Sequence, residues 1–286
     1  MPAEDVMLRA ALIVSLTALP LAALADDCRF SAERTLDVDA AGLTSFKLDT
    51  GAGDLDVVGV PGLARIEVRG KACASEQAEL AGIQLDQRRD GAVASVGTLI
   101  PDAGGSWSLF GSHYAYMDVH VRMPAALKLD LRDSSGDLEV SGLSGGLDLI
   151  DSSGDITLRD LAGVVNVTDT SGDIDVRGVT GPFTIIADSS GDIGIADITG
   201  DAVVHEDSSG DIAFRHVTGS ARVDRDSSGD IEFDDIGGDA SVGSDGSGEI
   251  RAGHVRGNFT VDKKADPANI SHDDIGGKVS VPRSEG

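Results

Sequence analysis

Basic side chains are scarce in this chain of 286 residues: 23 lysines and arginines stand against 49 aspartates and glutamates, for a formal net charge of −26. A surface of that sign repels phosphate, which argues against nucleic acid and against an anionic membrane surface as partners. Aromatic residues make up 3% of the chain, so any large core has to be aliphatic. The two cysteines, Cys28 and Cys73, form no Cys-x-x-Cys pair, and no phosphate-binding loop occurs. Beyond residue 25 no apolar run is long enough to span a bilayer.

Residues 7–25 read as a signal peptide. Arg9 supplies the basic start, Ala10 to Leu19 the apolar stretch, and Ala23-Leu24-Ala25 the small-residue cleavage site. Removal of residues 1–25 would leave a charge of −25. The expected location is therefore the periplasm or the exterior. In such an oxidising compartment the Cys28 and Cys73 thiols are expected to pair as a structural disulfide.

What the chain has in abundance is one phrase, Asp-Ser-Ser-Gly-Asp-Ile. It begins at Asp133, Asp151, Asp169 (with Thr170 for the first serine), Asp188, Asp207, Asp226 and, degraded, Asp245, in steps of 18, 18, 19, 19, 19 and 19 residues. A fixed period of this length is the signature of a solenoid. With each leading Asp as position 0, position 3 is glycine in every copy (Gly136 to Gly248), and so is position 12 (Gly145 to Gly257). Positions 5, 7, 10, 14 and 16 are apolar, as in Ile156, Leu158, Leu161, Val165 and Val167. Apolar residues two apart follow the period of a strand. Each coil should carry two short strands, near positions 4–8 and 13–17, each preceded by a glycine corner. Stacked about 4.8 Å apart, the coils would form a rod on the order of 40 Å long. The expected fold is all-β: a parallel β-solenoid of 18–19-residue coils over residues 133–286, preceded at 26–132 by a less regular β-rich cap.

In the cap, strands are expected at 35–38, 45–48, 54–58, 65–70, 92–99, 117–122 and 128–132. Gly53, Leu55, Val57, Val60 and Gly62 fit the repeat, so the solenoid should begin before residue 50, with one coil interrupted by an insertion. Residues 75–80 suggest a helix of one or two turns with Ser75 as N-cap. The loop at 104–116 holds Trp107, Tyr114 and Tyr116, either as a contact site for a sugar or protein or folded back over the open end of the rod. At the other end His272 replaces an apolar residue at position 7, between Pro267 and Pro282, as in a coil that stops strand stacking.

The Ser-Gly-Asp-Ile repeats behind an export signal resemble the bacterial putative-adhesin β-solenoid family, a domain of unknown function related to head domains carrying a Gly-Ile-Asn motif. The resemblance covers roughly residues 35–283. It implies an envelope-associated β-solenoid and offers no catalytic residue to carry over. With the usual preference of parallel crossovers, it also implies a right-handed coil.

The acids form two columns: Asp133 to Asp245 at position 0, and Asp137, Asp155, Asp173, Asp192, Asp211, Asp230 and Glu249 at position 4. Neighbouring unit charges at this spacing repel by roughly 1 kcal/mol in water. Two readings offset that repulsion. In one, each Asp accepts hydrogen bonds from backbone N–H groups of its own corner, and the serine hydroxyls join the ladder. In the other, Ca²⁺ sits between the coils. An enzyme, such as a carbohydrate-active β-helix, would need two carboxylates in unlike environments, and here every acid has copies. The six histidines (His113, His120, His205, His216, His254, His272) are scattered; His216 and His254 share position 9 but lie two coils apart, roughly 10 Å by stacking. The sequence therefore predicts a non-enzymatic module without a cofactor or metal centre, binding an envelope protein or polysaccharide.

Overall fold

The computed structural model describes residues 28–101 and 113–283. Residues 1–25, expected to be a leader, and Trp107 lie outside them. The chain is a parallel β-solenoid built from two twelve-stranded sheets. The cap contributes Phe30–Asp39 (β1), Ser45–Asp49 (β2), Leu55–Val60 (β3), Arg65–Ala74 (β4), Gln84–Asp90 (β5), Val93–Leu99 (β6), Ala115–Pro124 (β7) and Lys128–Arg132 (β8). From Leu138–Ser141 (β9) to Val279–Ser280 (β24) the strands then alternate between the sheets, each pairing in parallel with its counterpart one coil away.

The repeat positions explain the packing. Position 5 stacks Leu138, Ile156, Ile174, Ile193, Ile212, Ile231 and Ile250 in one register, all buried. Positions 7, 14 and 16 point into the same core. Large and small residues trade places across it. Phe214 and Phe233 at position 7 share their coils with Ala221 and Ala240 at position 14, whereas Ala252 shares its coil with Phe259. The Phe214 and Phe233 rings stack 5.1 Å apart. Each coil thus keeps a similar core volume, which a close-packed interior requires. Where 18-residue coils meet 19-residue ones, the extra residue is Ile186, a bulge left 47% exposed while the inward register continues.

From the coil of Ile156–Ala162 to that of Ile250–Val255 the first strand runs further than the sequence suggests, reaching position 10 past a left-handed residue at position 9. Gly142, Asp160, Gly178, Asp197, His216, Asp235 and His254 all have φ between 53° and 77°. This residue drops out of the pairing ladder between Arg159↔Arg177 and Leu161↔Val179, and lets inward spacing change from two to three. Glycine, Asp and other short polar residues tolerate that region best.

As expected, the coil that begins at Thr50 is interrupted by an insertion: β3 and β8 hold its two strand positions, paired with β9 and Leu147–Ile150 of the next coil, and β4 to β7 lie between them in the chain. The turn formed by β2 and β3 is itself continuous. It stacks directly beneath β8 and β9. The insertion follows it and builds a further coil, β6 with β7, on its outer side. Along the axis the order is therefore β6/β7, β2/β3, β8/β9. The outer end is closed by antiparallel strands, β4 on β7, β1 on β4 and β5 on β6. β5 was not expected because its sequence, Gln-Leu-Asp-Gln-Arg-Arg-Asp, is that of a polar, largely exposed edge.

The helix is a single turn, Gln77–Leu80 (α1), and its N-cap is Glu76 without a side-chain cap bond, in place of Ser75. The Ser75 hydroxyl is engaged elsewhere, accepting the Tyr114 N–H at 3.3 Å and donating to Glu79 at 3.4 Å. Arg34 ties the turn to β1, donating to the carbonyls of Leu80 and Ile83 at 2.8 and 2.7 Å. Cys28 and Cys73 are disulfide-bonded, with Cα atoms 5.6 Å apart.

Candidate functional site

The Asp-Ser-Ser-Gly-Asp corner is where the chain concentrates its chemistry. Its glycine has φ between 113° and 139° in all seven copies. A Cβ on Gly210 would also lie 1.8 Å from the Gly191 carbonyl oxygen, so backbone occupies the space a side chain would need. The second serine reaches back one coil. Ser171, Ser209 and Ser228 donate to the carbonyls of Ser152, Ser189 and Ser208 at 3.2, 3.1 and 3.1 Å.

The two aspartate columns, alike in sequence, have opposite environments. Position 4 faces outward. From Asp137 to Asp230 each carboxylate accepts the backbone N–H of the next position-4 residue: Asp137 from Asp155 at 3.3 Å, Asp192 from Asp211 at 2.9 Å, Asp230 from Glu249 at 2.8 Å. The ladder continues into the cap, where Asp54 accepts from Asp137 at 3.1 Å and Asp118 from Asp54 at 3.2 Å. These bonds run between coils and not within one corner as expected.

Position 0 faces inward. Asp133, Asp151, Asp169, Asp188, Asp207, Asp226 and Asp245 are each only 2–5% exposed. Backbone N–H groups of following residues hold one side of two of these carboxyls, Ser208 for Asp207 at 2.8 Å and Ser228 for Asp226 at 3.2 Å, whereas Asp151, Asp169 and Asp188 have neither oxygen hydrogen-bonded. The Oδ2 atoms of the six from Asp133 to Asp226 are buried without a hydrogen-bond partner. Asp188, Asp207 and Asp226 stand one above another, a coil apart. Burial is the main force on these groups. It pushes Asp133 and Asp226 up to about 7 and Asp169 and Asp188 up to about 6, and raises Asp151 and Asp207 as well. Charging two neighbours about 4.8 Å apart would cost roughly 3–4 kcal/mol at an effective dielectric of about 20. A fully ionised column would add such a cost at every step and exceed the roughly 5–15 kcal/mol by which a domain is stable.

Both ends of this column carry a different residue. Thr50 occupies position 0 of the β2/β3 coil, is 4% exposed, and donates its hydroxyl to Asp133 at 2.5 Å. Lys264 pairs in register with Asp245 and forms an ion pair with it, both side chains fully buried. The burial of the column and the role of Lys264 were missed in the sequence. The available signal was the spacing, since Lys264 follows Asp245 by the same 19 residues that separate Asp245 from Asp226.

The family model for Toastrack DUF4097 matches residues 24–181, more than half of the chain. The chain belongs to the Toastrack DUF4097 family. Solved structures similar to this Toastrack member share 14% identity with it. They include a putative cell adhesion protein from Clostridium sporogenes (65% of this chain and 99% of that one, TM-score 0.41). A putative lipid binding protein from Parabacteroides distasonis aligns over 87% of this chain and 96% of its own, with a TM-score of 0.47. A putative adhesin from Bacteroides fragilis aligns over 88% and 97%, with a TM-score of 0.35. No curated protein matches. The model match ends at residue 181, yet the Toastrack coils continue in the same register to β24.

Among the described residues of this Toastrack chain, the remaining candidates lie in separate pairs and contacts. His120, His205 and His254 each pair with one surface aspartate, Asp56, Asp224 and Asp234, at 2.6, 2.7 and 2.8 Å. His272 packs its ring 6.0 Å from Phe259 over the last coil. Among the described residues, no three His, Cys, Asp or Glu side chains are placed to hold a metal ion. A groove of about 670 Å³ crosses β3, β4, β7 and β9. Three of its polar groups are engaged: His120 with Asp56, Arg69 with Asp37 at 2.7 Å, and Asp118 with the Asp54 N–H. Tyr114 accepts the Arg29 N–H at 2.9 Å and lies 5.9 Å from the Tyr116 ring. Among the described residues no helix is long and apolar enough to cross a membrane.

Proposed function

We propose that the chain is a non-enzymatic, adhesin-like binding rod of the bacterial cell envelope, exported to the periplasm or beyond. The observation that carries this reading is the sameness of the coils. From Asp118 to Glu249 the outer carboxylates repeat at one spacing with one backbone commitment, so no coil offers an acid pair set apart from its copies. Hydrolysis of a glycoside needs two carboxylates in unlike environments. A row of identical groups instead binds by many weak contacts made together. The acidic field suits a basic envelope protein, or a polysaccharide bridged by divalent ions. Export rests on the leader at residues 7–25 and on the Cys28–Cys73 disulfide.

The test has two arms. The full chain is produced in a Gram-negative host, fractionated, and its N-terminus read by mass spectrometry; cleavage after Ala25 and recovery outside the cytoplasm are expected. The purified product is then passed over immobilised polylysine and over envelope polysaccharides with and without millimolar Ca²⁺. Salt-sensitive retention on one of these surfaces supports the reading. An uncleaved cytoplasmic chain defeats export, and depolymerisation of any of the polysaccharides defeats the non-enzymatic assignment.

A further inference from the structure

The buried aspartate column has no part in that surface. We infer that it is a proton-holding file, in which the carboxyls from Asp133 to Asp226 keep protons in the folded rod in mild acid, where exposed aspartates are ionised, making the rod more stable in mild acid than in base.

The geometry requires some neutralising partner. Six successive carboxyls leave Oδ2 buried and unpaired, and the column contains one cation, Lys264, already engaged by Asp245. Few other charges reach it. Asp54 adds a like charge beside Asp133. The charged residues one position earlier, Asp49, Arg132, Glu206, Arg225 and Lys263, are exposed to water. The packed strands opposite contribute aliphatic side chains such as Ile156 and Val167. A proton shared between adjacent carboxyls meets the need with the atoms present, since the protonated member donates to its ionised neighbour. The stacking of Asp188, Asp207 and Asp226 in successive coils suits such sharing.

The direction of the pH dependence follows. An aspartate in the unfolded chain loses its proton near pH 3.9, whereas burial raises the folded-state values in the column. Unfolding between about pH 4 and about pH 7 therefore releases protons, and stability declines as pH rises through that window. The stabilisation is complete below about pH 4 and lost above about pH 7.

Urea unfolding of the disulfide-bonded chain across this range, beside the triple variant Asp188→Asn, Asp207→Asn, Asp226→Asn, tests the inference. The wild type should lose stability toward pH 8, releasing more than one proton on unfolding, and the variant should show a flatter profile. Carbon-13 NMR of the aspartate carboxyls in the wild-type chain provides a reading that does not depend on the variant folding. Several carboxyls still protonated near pH 6 support the file. Column carboxyls all ionised at that pH, equal pH profiles for the two proteins, or a wild-type stability set by added K⁺ or Ca²⁺ instead of pH would overturn it.

Discussion

Lys264 stands directly over Asp245 in the parallel ladder, and their ion pair is sealed from solvent on every side. Removing one member of such a pair leaves an uncompensated buried charge, which typically costs about 3–5 kcal/mol. Lys264→Met should therefore destabilise the C-terminal coils by that order. Combining it with Asp245→Asn should restore part of the loss, because the orphaned charge goes too. A double-mutant cycle by urea unfolding measures the coupling. Additive single effects would show that the two groups do not act as a pair.

Two glycines separate backbone strain from steric conflict. Gly62 has φ of 75° and nothing near its missing side chain, whereas Gly210 has φ of 127° and the Gly191 carbonyl in the way. Gly62→Ala meets only the conformational penalty, about 1 kcal/mol. Gly210→Ala should cost several times as much, since a stacked backbone cannot step aside without breaking the Ser-to-carbonyl bonds of two coils. Equal losses in the midpoint of unfolding would mean that the corner is softer than its packing implies.

The repeat was legible because a 19-residue period carries the same residue types to the same places, and inward positions 5, 7, 10, 14 and 16 need only hydropathy to be found. Position 0 was not, because an aspartate beside two serines and a glycine is the composition of an exposed turn. Only the three-dimensional corner turns that side chain inward. The left-handed position 9 left a trace in its restriction to Gly, Asp and His, types that tolerate positive φ or are enriched there. The order of the first coils left none. Placing β6 and β7 outside β2 and β3 depends on contacts far apart in the chain, and a polar edge such as β5 lacks the alternation by which strands are read.

The disulfide ties the approach to β1 to the end of β4, within the antiparallel strands that close the rod. A cross-link spanning a sequence separation of 45 is worth roughly 3–4 kcal/mol in the loop-entropy account. Because stacked repeats interact mainly with their neighbours, that loss should fall on the cap and the adjacent coils. Cys28→Ser with Cys73→Ser should lower the first melting step while the distant coils keep their strand signal. Circular dichroism melts, with amide exchange to localise the change, decide it. Uniform loss of protection along the whole rod would count against a local cap.

The exchange of Phe and Ala between positions 7 and 14 makes the sharpest test of core packing. Phe259 is fully buried in register with Ala240, and Ala252 lies in register with Phe233. Phe259→Ala should cost about 3–5 kcal/mol through lost burial and the cavity left behind. Ala252→Phe alone should overpack the coil by about 1–3 kcal/mol. Together they recreate the arrangement of the preceding coil, with a new ring placed to extend the Phe214–Phe233 stack. The double variant should lose clearly less than the two single losses added. If the losses simply add, the volumes at positions 7 and 14 are not shared within a coil, and the alternation of large and small residues has another cause.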